Sequence, residues 1–366
     1  MPVPRETVWP LDDHTRGKHL VLRRYLEAWL PILGSSHGRV VFIDGFAGPG
    51  EYSGGEDGSP VIAISALAEH SARERIPAVR FLFIEERRDR ADHLRSVLGA
   101  RFTSLPPEWQ WTVVPGECAP TIVQLLNELE RDGARIAPSL MMLDPFGVKG
   151  IPIDVVRQFL THPRTEVYIS FMYESFRRFD EQPEFEQHLD ALFGVPRWRQ
   201  TLNQPDPEVA RQATYALYEQ CLRNAGAKFV LHFDIYRGGG LIYSVFFATK
   251  HTLGCDRMKQ AMWRAAPDGS FEFRGQRGGQ MALDLGGPNY ELLRQELSDF
   301  VGARGECTVD AVEKFLQSDQ TLFHSGHPYR RDGLRVLEST GRIRVVRPPG
   351  ARRGSFLPAT LLRSVT

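Results

Sequence analysis

Asp44 closes an apolar run, Arg-Val-Val-Phe-Ile-Asp, and leads directly into Gly45-Phe46-Ala47-Gly48-Pro49-Gly50. Glycine has no Cβ to hold a ligand away, so Gly48 and Gly50 let the backbone pass close to one, while the Asp44 carboxylate can accept hydrogen bonds from an amine or a cationic group. The spacing is G-x-x-G-x-G and not the G-x-G-x-x-G of a pyrophosphate-binding turn. A turn that merely joins strand to helix is the alternative.

Glu85 ends a second run, Phe-Leu-Phe-Ile-Glu, 41 residues after Asp44. A carboxylate at the carboxyl end of a strand can hold two ribose hydroxyls. Capping of a following helix by Glu85 and Glu86 is the plainer role. Gly116-Glu117-Cys118 follows a third run, where sheets of this kind touch a purine; a turn with no ligand fits equally well. The fourth constellation is Asp144-Pro145-Phe146-Gly147. In enzymes that methylate an exocyclic amine of a base, a D/N-P-P-Y/F loop accepts the amine hydrogens while its aromatic ring stacks on the base. Here the aromatic stands one position early and Gly147 occupies its place, which weighs against base-amine chemistry and leaves an Asp-Pro turn as the alternative.

From Arg330 to Arg363 nine arginines face two carboxylates, a local net charge of +7. Arginine at this density suits phosphate or bidentate base contacts, so Arg330, Arg331, Arg335, Arg347, Arg352 and Arg353 are candidates for binding DNA or RNA. A solvated face or a protein-docking wing is the alternative. His14, Lys18 and His19 lie within about one turn of each other; such histidines are more often structural or surface groups than catalytic ones. Met172, Tyr173, Phe176 and Phe179 read as core or lid packing.

Elements must carry these groups. A chain of 366 residues, 42% hydrophobic, exceeds what one core fills and calls for a large α/β domain with a smaller one. Lysine plus arginine equals aspartate plus glutamate, 45 each, so any electrostatic partner is met by a local patch. The four cysteines form no C-x-x-C pair, which predicts reduced thiols and no metal site. No signal-peptide core or run of about 18 apolar residues is visible, which gives the expectation of a cytoplasmic chain with no membrane partner.

Apolar periodicity predicts an N-terminal helix over 15–33, closed by Gly34. Buried parallel strands are expected at 39–44, 79–85, 109–114, 140–143 and 166–173, and helices at 59–72, with Ser59 capping, at 119–131 and at 207–224. The stretch 174–206 is expected to be a helical insertion. The runs at 228–236 and 241–249 are too close for a crossover and predict an antiparallel hairpin. The fold class is therefore α/β, a doubly wound Rossmann-like sheet over residues 1–275 that ends with an antiparallel strand. Three short helices and a ribbon of strands 342–347 and 355–357 predict a winged helix-turn-helix over 289–366.

The order Asp44-x-x-x-Gly48-x-Gly50 fits the D-x-x-x-G-x-G pattern of methyltransferases, whose cofactor carries no phosphate. Together DDHTRGKH, YLEAWLPIL, FIDGFAGPGEYSGG, GSPVIAI, FLFIEE, MMLDPFG and SVFFATKHTLGCDRMKQAMWRAAPDG resemble the three-Cys-motif partner protein family, over about residues 12–275. The resemblance implies a sheet that binds S-adenosylmethionine and an association with a three-Cys-motif protein. It implies cofactor contacts from Asp44, Gly48, Gly50 and Glu85, to which position adds Gly45, Phe46 and Glu117. It also implies Asp144 beside the methyl group, with Pro145 and Phe146 as its loop. The pair DGFAGPG and DPFG is similar to ribosomal RNA adenine methyltransferases. Two functions compete: methyl transfer to nucleic acid, and a non-catalytic adaptor that holds nucleic acid and a partner on the same fold.

Overall fold

The computed structural model describes residues 4–145, 150–179, 183–237, 240–266, 271–273 and 290–365. The chain forms two compact units, one of residues 1–251 with 272–276 and one of 252–271 with 277–366.

The first unit opens with α1 (Asp13–His37) and alternates β1 (Val40–Asp44), α2 (Ser59–Ala68), β2 (Val79–Glu85), α3 (Arg88–Arg101), β3 (Trp109–Pro115), α4 (Cys118–Arg131), β4 (Ser139–Leu143), α5 (Ile153–Thr161) and β5 (Thr165–Phe171). Helices α6 (Tyr173–Phe179), α7 (Pro183–Phe193), α8 (Trp198–Leu202) and α9 (Pro207–Asn224) then lead to β6 (Phe229–Arg237) and β7 (Gly240–Thr249). The sheet order is β3-β2-β1-β4-β5-β7-β6, with a two-residue strand, Glu272–Phe273, beyond β6. Strands β1 to β5 pair in parallel and β7 runs antiparallel to both neighbours, as the hairpin predicts. Every side chain of β4 and β5 is buried, which is why these strands read as unbroken apolar runs.

Two local expectations are corrected. The first helix does not stop at Gly34: it continues to His37 and is ended by Gly38 in the left-handed region. A Cβ on Gly34 would lie 2.6 Å from Ile76 Cγ2, so this glycine serves close packing inside the helix. Ser59 is not a cap either, because Gly58 holds that position and Ser59 is already the first helical residue. The helix α1 is fastened to the sheet by Tyr25, whose hydroxyl donates to Glu166 Oε2 at 2.5 Å, while Thr249 donates to Glu166 Oε1 at 2.6 Å.

The second unit begins with α10 (Thr252–Ala265), a helix that the expected boundary at 275 had assigned to the first. The short strand β8 (Glu272–Phe273) pairs with β6 at the edge of the large sheet. Then come α11 (Tyr290–Gly302), β9 (Glu306–Thr308), α12 (Val309–Leu316), α13 (Arg335–Ser339), β10 (Ile343–Val346) and β11 (Leu361–Ser364). The three strands pair in the order β10-β11-β9. The partner of β10 is thus 361–364 and not 355–357. Turns closed by Ser355 and Thr360 amides flank Pro358 and prevent that stretch from joining the ladder, whereas Leu362 is fully buried. Leu293, Leu297, Val309, Val312, Leu316 and Leu337 form the small core. Among the described residues no helix is long and apolar enough to cross a membrane, and no group of three or more His, Cys, Asp or Glu could hold a metal. All four cysteines are free and buried.

Candidate functional site

The sheet order reverses between β1 and β4, and in open α/β sheets ligands bind outside the strand ends at such a switch point. Asp44 ends β1 there, with Asp144 just past the end of β4. Asp44 is fully buried; its Oδ1 accepts from the Phe46 amide at 3.1 Å, but its Oδ2 has no hydrogen-bond partner. Burial pushes its carboxyl up to about 6, against the opposing pull of the Ser59 hydroxyl and the Phe46 amide. A buried carboxylate with an orphan oxygen is costly and asks for a donor from outside the chain.

The loop after Asp44 is tied down on two sides. The Gly45 amide donates to Met142 O and the Ala47 amide to Ile84 O, both at 2.9 Å. Gly48 and Gly50 adopt φ of +64° and +89°, the left-handed region that other residues enter only at a cost. The Gly48 amide then donates to Glu85 Oε2 at 2.9 Å, and the Arg87 amide to Glu85 Oε1 at 2.8 Å. Each carboxylate oxygen keeps a lone pair, so Glu85 is held in place yet can still accept two hydroxyls. Burial raises its carboxyl above the ordinary range, and the two amides work against that.

Two cavities meet at the half-buried Phe46. The larger, about 360 Å³, is lined by Gly45, Glu85, Arg87, Glu117, Cys118 and His188 among others, within the size of small-molecule sites. Glu117 is the N-cap position of α4 and makes no side-chain cap bond, so its carboxylate is not used by the helix. Burial pushes the Cys118 thiol up to about 12, which keeps it un-ionised. The smaller cavity, about 30 Å³, is lined by Trp9, His19, Phe46, Tyr52, Ser59 and Asp144 with the glycine loop.

Asp144 is half-buried and pairs with Lys18 Nζ from α1. Burial alone would raise its carboxyl, but the charge and hydrogen bond of Lys18 outweigh that and hold it below the usual range. His19 beside it is pulled down to about 3 by burial, with Lys18 adding, and is neutral near pH 7. The segment before α1 is held by α3, with Trp9 against the loop: Arg90 Nη2 donates to Pro4 O at 2.6 Å and Glu6 O at 2.9 Å, the Arg90 guanidinium sits 4.5 Å from the Trp9 ring centroid, and a Cβ on Gly48 would lie 3.6 Å from the Trp9 ring.

The structure therefore brings together Asp44, Gly45, Phe46, Gly48, Gly50, Glu85, Glu117 and Asp144. Pro145 is buried and lines neither cavity. Phe146 and Gly147 lie outside the described residues. Lys18 and His19, which the sequence marks only as a cluster, belong to the site; Trp9, Arg87 and Arg90 carry no local signal.

The arginines lie in the second unit and are largely engaged within it. Arg330 pairs with Glu313 and Arg331 with Asp332, each at 2.8 Å. Arg347 makes two bonds to Glu338, at 2.7 and 2.6 Å, and its side chain is 15% exposed. Arg335 donates to Gly354 O. Arg335, Arg352 and Arg353 have no ion pair among the described residues.

No family model matches the chain, and no curated protein sequence matches it. Solved structures do. Trm1 from Pyrococcus horikoshii, in complex with S-adenosyl-L-methionine, is 12% identical with a TM-score of 0.40, over 72% of this chain and 61% of that one. An O-methyltransferase from Bacillus cereus in complex with SAH is 13% identical with a TM-score of 0.35, over 64% and 81%. The METTL16 MTase domain is 14% identical with a TM-score of 0.32, over 62% and 66%. This chain thus spans less than two thirds of the first of these.

Proposed function

We propose that the first unit binds S-adenosylmethionine and transfers its methyl group, with nucleic acid as the acceptor and a three-Cys-motif protein as partner. The observation that carries the proposal is the orphan Oδ2 of buried Asp44, set at the switch point of a sheet with one reversed strand. The residues fit the cofactor. Asp44 offers an acceptor for an amino group, Glu85 has two lone pairs for ribose hydroxyls, and the turn at Gly116 and Glu117 borders the cavity of about 360 Å³. When bound, the cofactor supplies an electrophilic sulfonium methyl. The chain contributes positioning: the glycine loop and Glu85 hold one another, and Asp144 offers a carboxylate to an N–H or O–H of the acceptor.

Calorimetry with S-adenosylhomocysteine is expected to give a saturable heat that Gly48→Trp abolishes, because an indole at φ +64° is strained and fills the approach to the loop. A flat titration of well-folded wild-type protein would sink the proposal.

The part of the second unit after residue 289, helices α11, α12 and α13 with the three-stranded sheet of β9, β10 and β11, supports the winged-helix reading and nucleic-acid binding by its arginines. Because half of the six candidates are already paired with carboxylates, binding is expected to release few counterions, with log K falling against log salt with a slope of about −3 rather than −5. Fluorescence anisotropy on duplex DNA and structured RNA measures this; no binding to either at low salt removes nucleic acid from the proposal. The adaptor reading is favoured by one feature of the sequence, Gly147 in the place of the aromatic that would stack on a base. Labelled methyl that never reaches DNA, RNA or protein, despite bound cofactor, would select it.

A further inference from the structure

Lys18 is the cation that faces the site from α1, and both ends of the residue are fixed. The Tyr168 hydroxyl on β5 donates to the Lys18 carbonyl at 3.0 Å. The ammonium pairs with Asp144 and lies 5.5 Å from the centroid of the Tyr243 ring on β7. Its side chain is 5% exposed. Burying an ammonium needs a compensating structure, and this one is assembled from three elements around one carboxylate. The other groups with a charge or a proton to lose near Asp144 are His19 and Arg16 on α1, Asp44 at the end of β1, Tyr52 in the loop, Tyr168 and Tyr243. His19 is neutral and burial raises all three tyrosines far above neutrality, so Lys18 is the one positive group bonded to Asp144 among the described residues.

We infer that Lys18 is a positioning residue, which holds Asp144 as an ionised hydrogen-bond acceptor at the smaller cavity and so fits the site to an acceptor that donates hydrogen, such as a neutral amine. This rests on the methyl-transfer reading. An acceptor carboxylate fixed by a lysine behind it keeps its second oxygen directed by that pair, and the cavity beside it, bordered by the rings of Phe46, Tyr52 and Trp9 and by polar groups, has room for a small group.

The test uses two ligands that differ where the methyl would be: S-adenosylhomocysteine, which has nothing there, and sinefungin, which carries an amine. Their affinity ratio reads the charge on Asp144, and any loss common to both, including titration of Asp44, cancels. For the wild type the ratio is expected to favour sinefungin and to stay flat from pH 5.5 to 8. In Lys18→Met it is expected to fall at least tenfold as pH drops through that range, because the unpaired, half-buried carboxylate takes up a proton; Lys18→Arg should restore a flat profile. A flat profile in Lys18→Met overturns the inference. Failure of both ligands to bind wild-type protein overturns the methyl-transfer reading instead. Should Lys18→Met not fold, carbon-13 NMR of the wild-type Asp144 carboxyl, assigned with Asp144→Asn, decides: ionisation persisting below pH 4 supports the inference, and titration above pH 5 defeats it.

Discussion

Replacing Lys259 with methionine is expected to destabilise the second unit by roughly 3–5 kcal/mol. Lys259 is fully buried on α10, and its Nζ donates to four backbone carbonyls, those of Leu316, Ser318 and Phe323 at 2.6 Å and of Thr321 at 3.1 Å. These carbonyls belong to the end of α12 and the chain after it, which has no ladder of its own to satisfy them. Methionine fills similar space but donates nothing, so four buried acceptors lose their partner together. Hydrogen exchange on the full chain measures the effect: amides of α12 should exchange two to three orders of magnitude faster, with amides of β4 and β5 unchanged. Equal protection in the variant would mean that packing by Trp263, Phe323 and His327 holds the segment without the ammonium.

Asp44→Asn is expected to change how stability depends on pH. The folded-state value of about 6 stands above the ordinary 3.8, so between about pH 4 and pH 6 the native chain keeps a proton that the unfolded chain releases. The contribution of this group is therefore full at acid pH and is lost as pH rises through that window, by about 3 kcal/mol at most. Asparagine cannot ionise and removes the dependence, though its buried amide costs about 1–3 kcal/mol at every pH. Urea denaturation of both proteins from pH 4 to 7 should show the wild type losing ground to the variant as pH rises, while the variant binds S-adenosylhomocysteine more weakly. Parallel curves would show that Asp44 is solvated in the native chain.

The sequence already carries the sheet. Parallel strands buried on both faces appear as continuous apolar runs, so β1, β2, β4 and β5 are visible within a residue or two, and the four residues between the runs at 228–236 and 241–249 announce the reversed strand. The glycines at 48 and 50 are visible too, since positive φ restricts what can stand there. What stays hidden depends on distance along the chain. Lys18 meets Asp144 across 126 residues and Lys259 meets Phe323 across 64, and neither pairing leaves a local pattern. The tail shows the reverse error. Nine arginines near one another in sequence suggest one open field, but Glu291, Glu306 and Glu313, which lie earlier in the chain, pair with three of them.

Strand β7 has a consequence for the chain as it is made. It lies between β5 and β6, yet is synthesised after both. Until residue 249 has left the ribosome, β5 and β6 each present an unpaired edge of apolar strand, an invitation to pair with another nascent copy. A truncation between β6 and β7 would leave that invitation permanently open, so aggregation rather than a smaller soluble domain is what such a fragment should yield.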